Sequence, residues 1–215
     1  MEDVNHFNQW GIVLITLTIF GWFIFRFLKP KKKIEWRNAG IFGAFIIALY
    51  AEMYGFPLTI YILSSVFGVE LPFGHISGHL WTSLLGLGET GAMVEMLVGY
   101  LIMIIGGLLV ITGWEKIYKA KDELVTDGIY KYMRHPQYAG IILVTFGMLI
   151  HWPTLITLLL FPVLVSAYYG LAKKEEKEME KKFDGSYLEY KREVPMFLPK
   201  LNLKIKRLDQ RVERR

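Results

Sequence analysis

The sequence predicts an all-α integral membrane protein with five transmembrane segments, and three observations support this prediction. Of the 215 residues, 53% are hydrophobic, which is high for a soluble protein. The apolar residues are gathered in long runs, and roughly 20 helical residues cross a hydrocarbon core of about 30 Å. The basic residues fall only in certain segments between and after these runs.

Three apolar runs are long enough to cross a bilayer once each, at residues 12–28, 41–67 and 93–112. A fourth apolar region, residues 138–171, is too long for one crossing and short for two. The stretch HWPT interrupts its middle, and proline breaks helices. We therefore predict that the last two of the five segments form a tight helical hairpin.

The basic residues predict the orientation of these segments. Residues 26–37, 114–134 and 173–215 together contain all 25 lysines and arginines. Positive charge marks the cytoplasmic side of short membrane loops. Five crossings, with the N-terminus outside and the C-terminus cytoplasmic, place all three segments on that side. The net charge of +5 then suits anionic membrane lipid, and we expect no nucleic-acid partner.

The first polar motif, RHPQYAG, lies at the start of the fourth apolar region. Proline is favoured in the first turn of a helix, so we expect a helix to begin at Pro136. The free N–H groups of that turn favour an anionic group, and Arg134, His135 and Tyr138 would stand at the same place. This pattern predicts a polar pocket at the edge of the bilayer. An interfacial anchor without a ligand is the alternative interpretation.

The second polar motif follows the predicted hairpin. Glu175 and Glu176 come directly after the apolar region, and a tight hairpin would bring them close to the first motif. Downstream, a stripe of apolar and aromatic residues at intervals of three and four predicts an amphipathic cytoplasmic helix, interrupted near residues 184–185. The stripe consists of Met179, Phe183, Tyr187 and Tyr190. A solvated charged face is the alternative interpretation for the two glutamates.

Together, ELVTDGIYKYMRHPQYAG (123–140) and EEKEMEKKFDGSYLEYKREVP (175–195) resemble the isoprenylcysteine carboxyl methyltransferase family and its phospholipid methyltransferase relatives. The resemblance covers roughly the C-terminal 100 residues, as two ordered motifs with a matching gap. It implies a multi-span membrane enzyme that binds S-adenosylmethionine on the cytoplasmic side. It further implies methylation of a lipophilic acceptor, above all an isoprenylcysteine-type carboxylate.

The resemblance also implies site residues. The cofactor-binding positions would be Glu115, Leu124, Val125, Tyr130, His135, Pro136, Gln137, Tyr138 and Glu175, with Asp122 and Glu123 beside them. We predict Arg134 as the group that fixes an anionic acceptor and Glu176 as a proton acceptor for an amine or phenol. One position departs from the family: Leu171 stands where the carboxyl methyltransferases have an arginine. The family's arginine would suit a substrate carboxylate, so this departure concerns which acceptor the protein takes.

Other functions stay open at this point. A phospholipid or small-lipid N- or O-methyltransferase is the first alternative, and a sterol-reductase-like or non-catalytic membrane protein is the second. The sequence has no glycine-rich turn of the kind that binds dinucleotides, which weakens the reductase alternative. We divide the chain into three helical segments at 1–113, a methyltransferase core at 114–199 and a basic tail at 200–215. The sequence does not predict an oligomeric state.

The remaining polar residues in apolar surroundings have less specific interpretations. Glu52 would lie inside the second segment, where it either lines a route for the acceptor or is hydrogen-bonded between helices. His75 and His79 have the spacing of a helical metal pair, but no third ligand is near, so we predict no metal site. The chain has no cysteine, which excludes thiolate ligands and disulfides. Gly106 and Gly107 favour close helix packing.

Overall fold

The computed structural model describes residues 9–23, 25, 33–71, 75–120 and 123–199, and all regular structure in these ranges is helical. The helices are α1 (Trp10–Phe23), α2 (Lys33–Tyr50), α3 (Leu58–Ser65), α4 (His75–Gly78), α5 (Leu80–Leu85), α6 (Gly88–Lys119), α7 (Pro136–His151) and α8 (Leu155–Glu193). A π-helical turn, Ala51–Gly55, continues α2, and a 3₁₀ turn, Gly128–Lys131, precedes α7.

Two helices, α6 and α8, are long and apolar enough to cross a membrane. The bent pair of Lys33–Gly55 and Leu58–Ser65 is a third candidate if it is counted as one span. Two more apolar helices, α1 and α7, are shorter: α7 has 16 residues, or about 24 Å at 1.5 Å per residue. The protein is therefore an all-helical chain with two or three candidate spans. Of the predicted first segment, only the part up to Phe23, together with Phe25, lies within the described residues.

The second predicted segment is not one continuous helix. Its two halves meet at an angle of 70° between Gly55 and Leu58. Phe56 adopts an extended conformation, as expected for a residue that precedes a proline, and Pro57 supplies the N-cap of α3. Glu52 lies in the π-helical turn at this bend and accepts a hydrogen bond from the Thr59 amide at 2.7 Å. The buried acid thus stabilises the start of the next helix.

Helices α6 and α7 pack along a seam of glycines. A Cβ atom at Gly106 would lie 2.7 Å from the carbonyl oxygen of Gly140, and one at Gly140 would lie 2.5 Å from that of Gly106. Seven residues away the pattern recurs, since a Cβ at Gly147 would lie 2.8 Å from the Gly99 carbonyl oxygen. The predicted packing role is confirmed for Gly106. It is wrong for Gly107, where a Cβ would meet nothing within 4 Å.

The predicted hairpin turn lies where expected, but its two helices do not pair closely. Three residues separate α7 from α8, and Thr154 caps α8 by accepting a hydrogen bond from the Thr157 amide. Beyond the turn, α7 packs mainly on α6 and α8 mainly on α2. One hydrophobic cluster joins all four helices, with Phe45, Val110 and Ile141 among its members. Residues on both sides of the predicted division at 113–114 share this core, and the division itself stays a prediction.

Helix α8 continues well beyond its apolar part. The polar extension that follows Ala172 carries both signs of charge as far as Glu193. Asp184 interrupts it with φ 42° and ψ −123°, close to the predicted break. The backbone conformation is rare for a residue with a side chain, so the chain changes direction here. This change brings the end of α8 back towards the start of α7.

Candidate active site

A cavity of about 330 Å³ lies between the end of α6, the connector before α7 and the polar extension of α8. It is lined by Trp114, Ile117, Ala120, Glu123, Leu124, Val125, Tyr130, Arg134, His135, Gln137, Tyr138, Glu175, Glu178, Met179, Lys182, Phe183, Tyr187 and Tyr190. Both predicted motifs therefore contribute to one cavity. Its volume lies at the lower end of the range of roughly 300–1,000 Å³ found for small-molecule sites.

Most of the predicted site residues line this cavity, and three do not. Pro136 is buried at the first position of α7, as predicted, and is not part of the cavity wall. Glu115 lies on a larger, more open groove of about 780 Å³ on the other side of Leu124 and Val125, and it pairs with Lys119 at 2.5 Å. Glu176 is fully buried behind the wall. Asp122 lies outside the described residues.

The connector is held against α6 by a buried phenol. The hydroxyl of Tyr130 lies 3.2 Å from the Gly113 carbonyl oxygen and 3.1 Å from Oε1 of Gln137, and it can donate its proton to either. Gly113 has no side chain to separate the helices, since a Cβ there would lie 3.1 Å from the Gln137 amide nitrogen. The first turn of α7 is therefore fixed against the end of α6. Burial also raises the pKa of the Tyr130 phenol, so it stays protonated.

Glu175 is an acid of the cavity wall that is held by both a tyrosine and a histidine. Tyr138 donates a hydrogen bond to its Oε1, and Nδ1 of His135 lies 3.6 Å from its Oε2. The rings of His135 and Tyr138 stack with centroids 5.6 Å apart. Burial raises the pKa of Glu175, and the hydrogen bond from Tyr138 offsets part of this effect. A carboxylate held in this way favours a cationic ligand group.

Glu176 belongs to an ion-pair cluster beside the cavity. Its Oε1 accepts from Nε of Arg134 at 2.8 Å and from Nη2 at 2.5 Å, and Nζ of Lys191 lies 2.9 Å from its Oε2. Burial alone would raise the pKa of Glu176, but the facing His135, Lys191 and Arg134 outweigh it and lower the pKa to about 2. Glu176 is therefore ionised at neutral pH. Two cations compensate its buried charge.

Arg134 also ties down the chain that follows α8. Its Nη1 donates to the carbonyl oxygens of Lys191, at 3.0 Å, and Val194. The backbone amide of Arg134 donates to Pro195 at 2.9 Å, and that of His135 donates to Met196 at 3.1 Å. The guanidinium thus already has partners in the protein. Its predicted role towards an acceptor stays a prediction.

The predicted site residues account for only about half of the cavity wall. The residues not predicted come from the end of α6 and from the polar extension of α8: Trp114, Ile117, Ala120, Glu178, Met179, Lys182, Phe183, Tyr187 and Tyr190. Four of them, Met179, Phe183, Tyr187 and Tyr190, form the amphipathic stripe that the sequence predicted. That pattern predicted a buried face but did not reveal what the face covers.

At the far end of α6, polar residues are buried without a comparable cavity. Glu95 accepts hydrogen bonds from the Thr82 amide at 3.0 Å and from its hydroxyl at 2.6 Å. Nδ1 of His79 lies 2.9 Å from the His151 carbonyl oxygen. Within the described ranges, no three His, Cys, Asp or Glu residues are arranged to hold a metal ion. The side chain of His75 lies outside the described residues.

The geometry of the cavity defines a class of protein. It is a helical protein with membrane-length segments and a small cavity at the polar ends of three helices, which combines a carboxylate, a histidine and aromatic rings. Such a lining suits a ligand that carries a positive centre and a planar ring.

Comparison with known proteins shows which family this chain resembles. Residues 94–186 match the model of the phospholipid methyltransferase family. Protein-S-isoprenylcysteine O-methyltransferase B of Arabidopsis thaliana is 33% identical over 81 residues. The Schizosaccharomyces pombe protein-S-isoprenylcysteine O-methyltransferase is 35% identical over 81 residues, and the Arabidopsis A protein is 30% identical over 135 residues. These matches confirm the predicted resemblance to the isoprenylcysteine carboxyl methyltransferase-like family.

The matches cover only parts of the chains compared. They include 37% of this chain for the first two relatives and 60% for the third. They span 41%, 34% and 66% of the relatives' own lengths. The family region, residues 94–186, includes α7 and most of the cavity wall.

Proposed function

We propose that this protein is a membrane-embedded methyltransferase that uses S-adenosylmethionine and acts on a lipophilic acceptor, most favourably an isoprenylcysteine-type carboxylate. One observation carries the proposal: the two motifs, 35 or more residues apart in sequence, line a single cavity at the polar ends of α6, α7 and α8. The names of the three relatives support the same reaction.

The residues of the cavity fit this cofactor. S-adenosylmethionine presents a sulfonium cation, an adenine ring, a ribose and an amino-acid group. Glu175 and the tyrosine rings would favour the cation, since aromatic faces attract positive charge. Nε1 of Trp114 is buried and has no hydrogen-bond partner in the protein, so it can serve a ligand. His135 lines the cavity, while its Nε2 faces Oε1 of Glu176 at 3.6 Å. A buried polar atom without a partner is costly, and a ligand would remove that cost.

When bound, this cofactor supplies an electrophilic methyl group for an in-line displacement. The protein's contribution is then to hold both reactants in position and to exclude water. A carboxylate acceptor is already ionised at neutral pH and needs no proton acceptor. We propose that Arg134 and Glu176 act as a positioning pair, because Glu176 lies off the cavity wall and the Arg134 guanidinium is engaged by Glu176 and two carbonyl oxygens.

We also propose the five-crossing arrangement, with the N-terminus outside and the cavity and C-terminus in the cytoplasm. The distribution of lysine and arginine supports it, and α1 and α7 would be its short crossings. Single cysteines at Glu70 and Ser186, both exposed, test the arrangement with a membrane-impermeant thiol reagent. Labelling from opposite faces supports it. Labelling of both positions from one face contradicts it.

The first test of the activity is equilibrium binding of S-adenosylmethionine to the detergent-purified protein. We expect saturable binding in the micromolar range, or roughly −8 kcal/mol. The variants Glu175→Gln and His135→Ala should lose at least tenfold in affinity. Glu189→Gln, an exposed acid on the same helix that does not line the cavity, is the matched control and should bind like the parent. A folded parent protein that does not bind rules the proposal out.

The acceptor class is tested with labelled methyl donor and two acceptors, an S-prenylated cysteine and an amine-bearing phospholipid. A carboxylate acceptor gives a base-labile methyl ester, and an amine acceptor gives a base-stable product. The second acceptor is a real candidate because the family model is that of phospholipid methyltransferases and because Leu171, at the family's arginine position, is only 4% exposed and packs in the core. If only base-stable product forms, an amine acceptor takes the place of the carboxylate in the proposal.

A further inference from the structure

The end of α8 forms one wall of the cavity. We define residues 185–197 as the C-terminal lid; they follow the break at Asp184. Tyr187 and Tyr190 of the lid line the cavity, and Tyr187 is buried. The hydroxyl of Tyr190 donates to the Tyr130 carbonyl oxygen at 2.7 Å, across to the connector. A ligand in the cavity would therefore contact the lid directly.

The break at Asp184 has the properties of a hinge. Its φ of 42° is positive, and a residue with a side chain is strained in such a sparsely populated conformation. Before the break, α8 is anchored by its apolar part against α2. After the break, the lid is held by polar contacts and by apolar packing, since Val194 is buried and Met196 and Phe197 pack against the hydrophobic cluster. A strained backbone position between two packed segments is a point at which one segment can move relative to the other.

The polar contacts that hold the lid lie at its far end. Nζ of Lys191 lies 2.9 Å from Oε2 of Glu176 and 2.7 Å from Oε1 of Glu180, both on the part of α8 before the break. Arg134 donates to two lid carbonyl oxygens, and the amides of Arg134 and His135 donate to two more. The Lys191 side chain is 32% exposed, so solvent can compete for its ion pairs.

We propose that the C-terminal lid opens about Asp184 to admit and release the ligand of the cavity, and that Lys191 is the latch that holds it closed. Ligand contacts with Tyr187 and Tyr190 stabilise the closed form, so binding and closure are coupled. The identity of the ligand rests on the proposed function. The motion of the lid does not.

The motion is tested by distance measurement between two spin labels. The chain has no native cysteine, so Thr126→Cys and Glu189→Cys, both exposed, place labels only on the connector and on the lid. We expect Lys191→Met to add a population at longer distance. Lys181→Met, an exposed lysine on α8 before the break, is the matched control and should leave the distribution unchanged. Superimposable distributions for the parent and Lys191→Met overturn the proposal.

The coupling to ligand is tested with S-adenosylmethionine as the probe. Lys191→Met should raise its dissociation rate about tenfold, which corresponds to about 1.4 kcal/mol, and Lys181→Met should not. An unchanged dissociation rate in Lys191→Met would show that the lid does not control release. If the parent protein binds no S-adenosylmethionine, the proposed function fails, and the spin-label distances still decide whether the lid moves.

Discussion

Acidic side chains are buried at both ends of α6, but the two ends bury them in different ways. At the cavity end, Glu176 faces Arg134 and Lys191, and Glu175 borders a space of about 330 Å³. At the far end, Glu52 and Glu95 accept hydrogen bonds from backbone amides or a hydroxyl. The pocket that includes Glu52 has a volume of only about 10 Å³, about the minimum that a single water molecule needs.

This contrast shows that a buried acid in an apolar segment does not by itself identify a site. The far-end acids accept hydrogen bonds from backbone amides at the starts of helices. Inside a bilayer these amides have no water to bond to, so their hydrogen bonds must be made within the protein. At the cavity end, Glu176 has cationic partners, and its neighbour Glu175 borders space for a ligand. Of the two interpretations of Glu52, the structure favours the hydrogen-bonded one.

The largest expected effect comes from the cavity-end ion pair. Arg134→Leu leaves Glu176 buried with one of its two strong cationic partners and should cost about 3–5 kcal/mol of stability. The thermal unfolding midpoint in detergent measures this cost. The double variant Arg134→Leu/Glu176→Leu should recover most of it, because no unpaired charge remains. Equal destabilisation in the single and double variants would mean that the pair does not compensate the buried charge.

The pH dependence of stability tests the same charge. The pKa of Glu176 is lowered from 4.5 to about 2 in the folded protein. Its contribution to stability is therefore fully present above pH 4.5 and is lost as the pH falls towards 2. This contribution amounts to about 3 kcal/mol. Unfolding midpoints measured across this range should fall more steeply for the parent than for Glu176→Gln, and parallel curves would contradict the prediction.

A substitution in the glycine seam between α6 and α7 should have a smaller effect on stability. Gly106→Leu forces a side chain against the Gly140 carbonyl oxygen and should cost about 1–3 kcal/mol as α6 and α7 separate. Gly107→Leu is the matched control, because a Cβ at Gly107 meets nothing within 4 Å. We expect its unfolding midpoint to be close to that of the parent. Equal loss in both variants would argue against the seam.

The smallest expected stability change separates the two kinds of acid. Glu95→Gln keeps an acceptor for the Thr82 hydroxyl and amide, so it should cost about 1 kcal/mol and leave ligand affinity unchanged. Glu175→Gln should leave stability nearly unchanged and reduce affinity for S-adenosylmethionine. Unfolding midpoints and binding isotherms of both variants test whether one variant loses only stability and the other only affinity. Loss of binding in Glu95→Gln would connect the far end to the site.

Local chemistry made several features predictable. The missing N–H of Pro136 predicted the start of α7, and the structure begins the helix there. The HWPT stretch predicted the turn between α7 and α8. Residues next to these signals, including His135, Tyr138 and Glu175, were placed correctly on one cavity, because a short turn must bring its two helices back to the same side.

Other features depended on distant packing and could not be predicted. Hydropathy gave residues 41–67 as one segment, because it averages over the bend that Pro57 introduces. It also predicted that α7 pairs with α8. In the structure, the glycine seam packs α7 on α6, and α8 packs mainly on α2. Glu115 was predicted for the cofactor site, but it lies on the neighbouring groove, which shares Leu124 and Val125 with the cavity.

By itself, the sequence determined the helical class, the basic segments and the two motifs, because periodicity, charge and proline act over a few residues. The tertiary structure alone decided that Glu176 would be buried between Arg134 and Lys191 while its neighbour Glu175 borders the cavity. Adjacent residues on a helix point about 100° apart. Which of the two reaches the cavity therefore depends on how α8 packs, and on the return of the chain at Asp184.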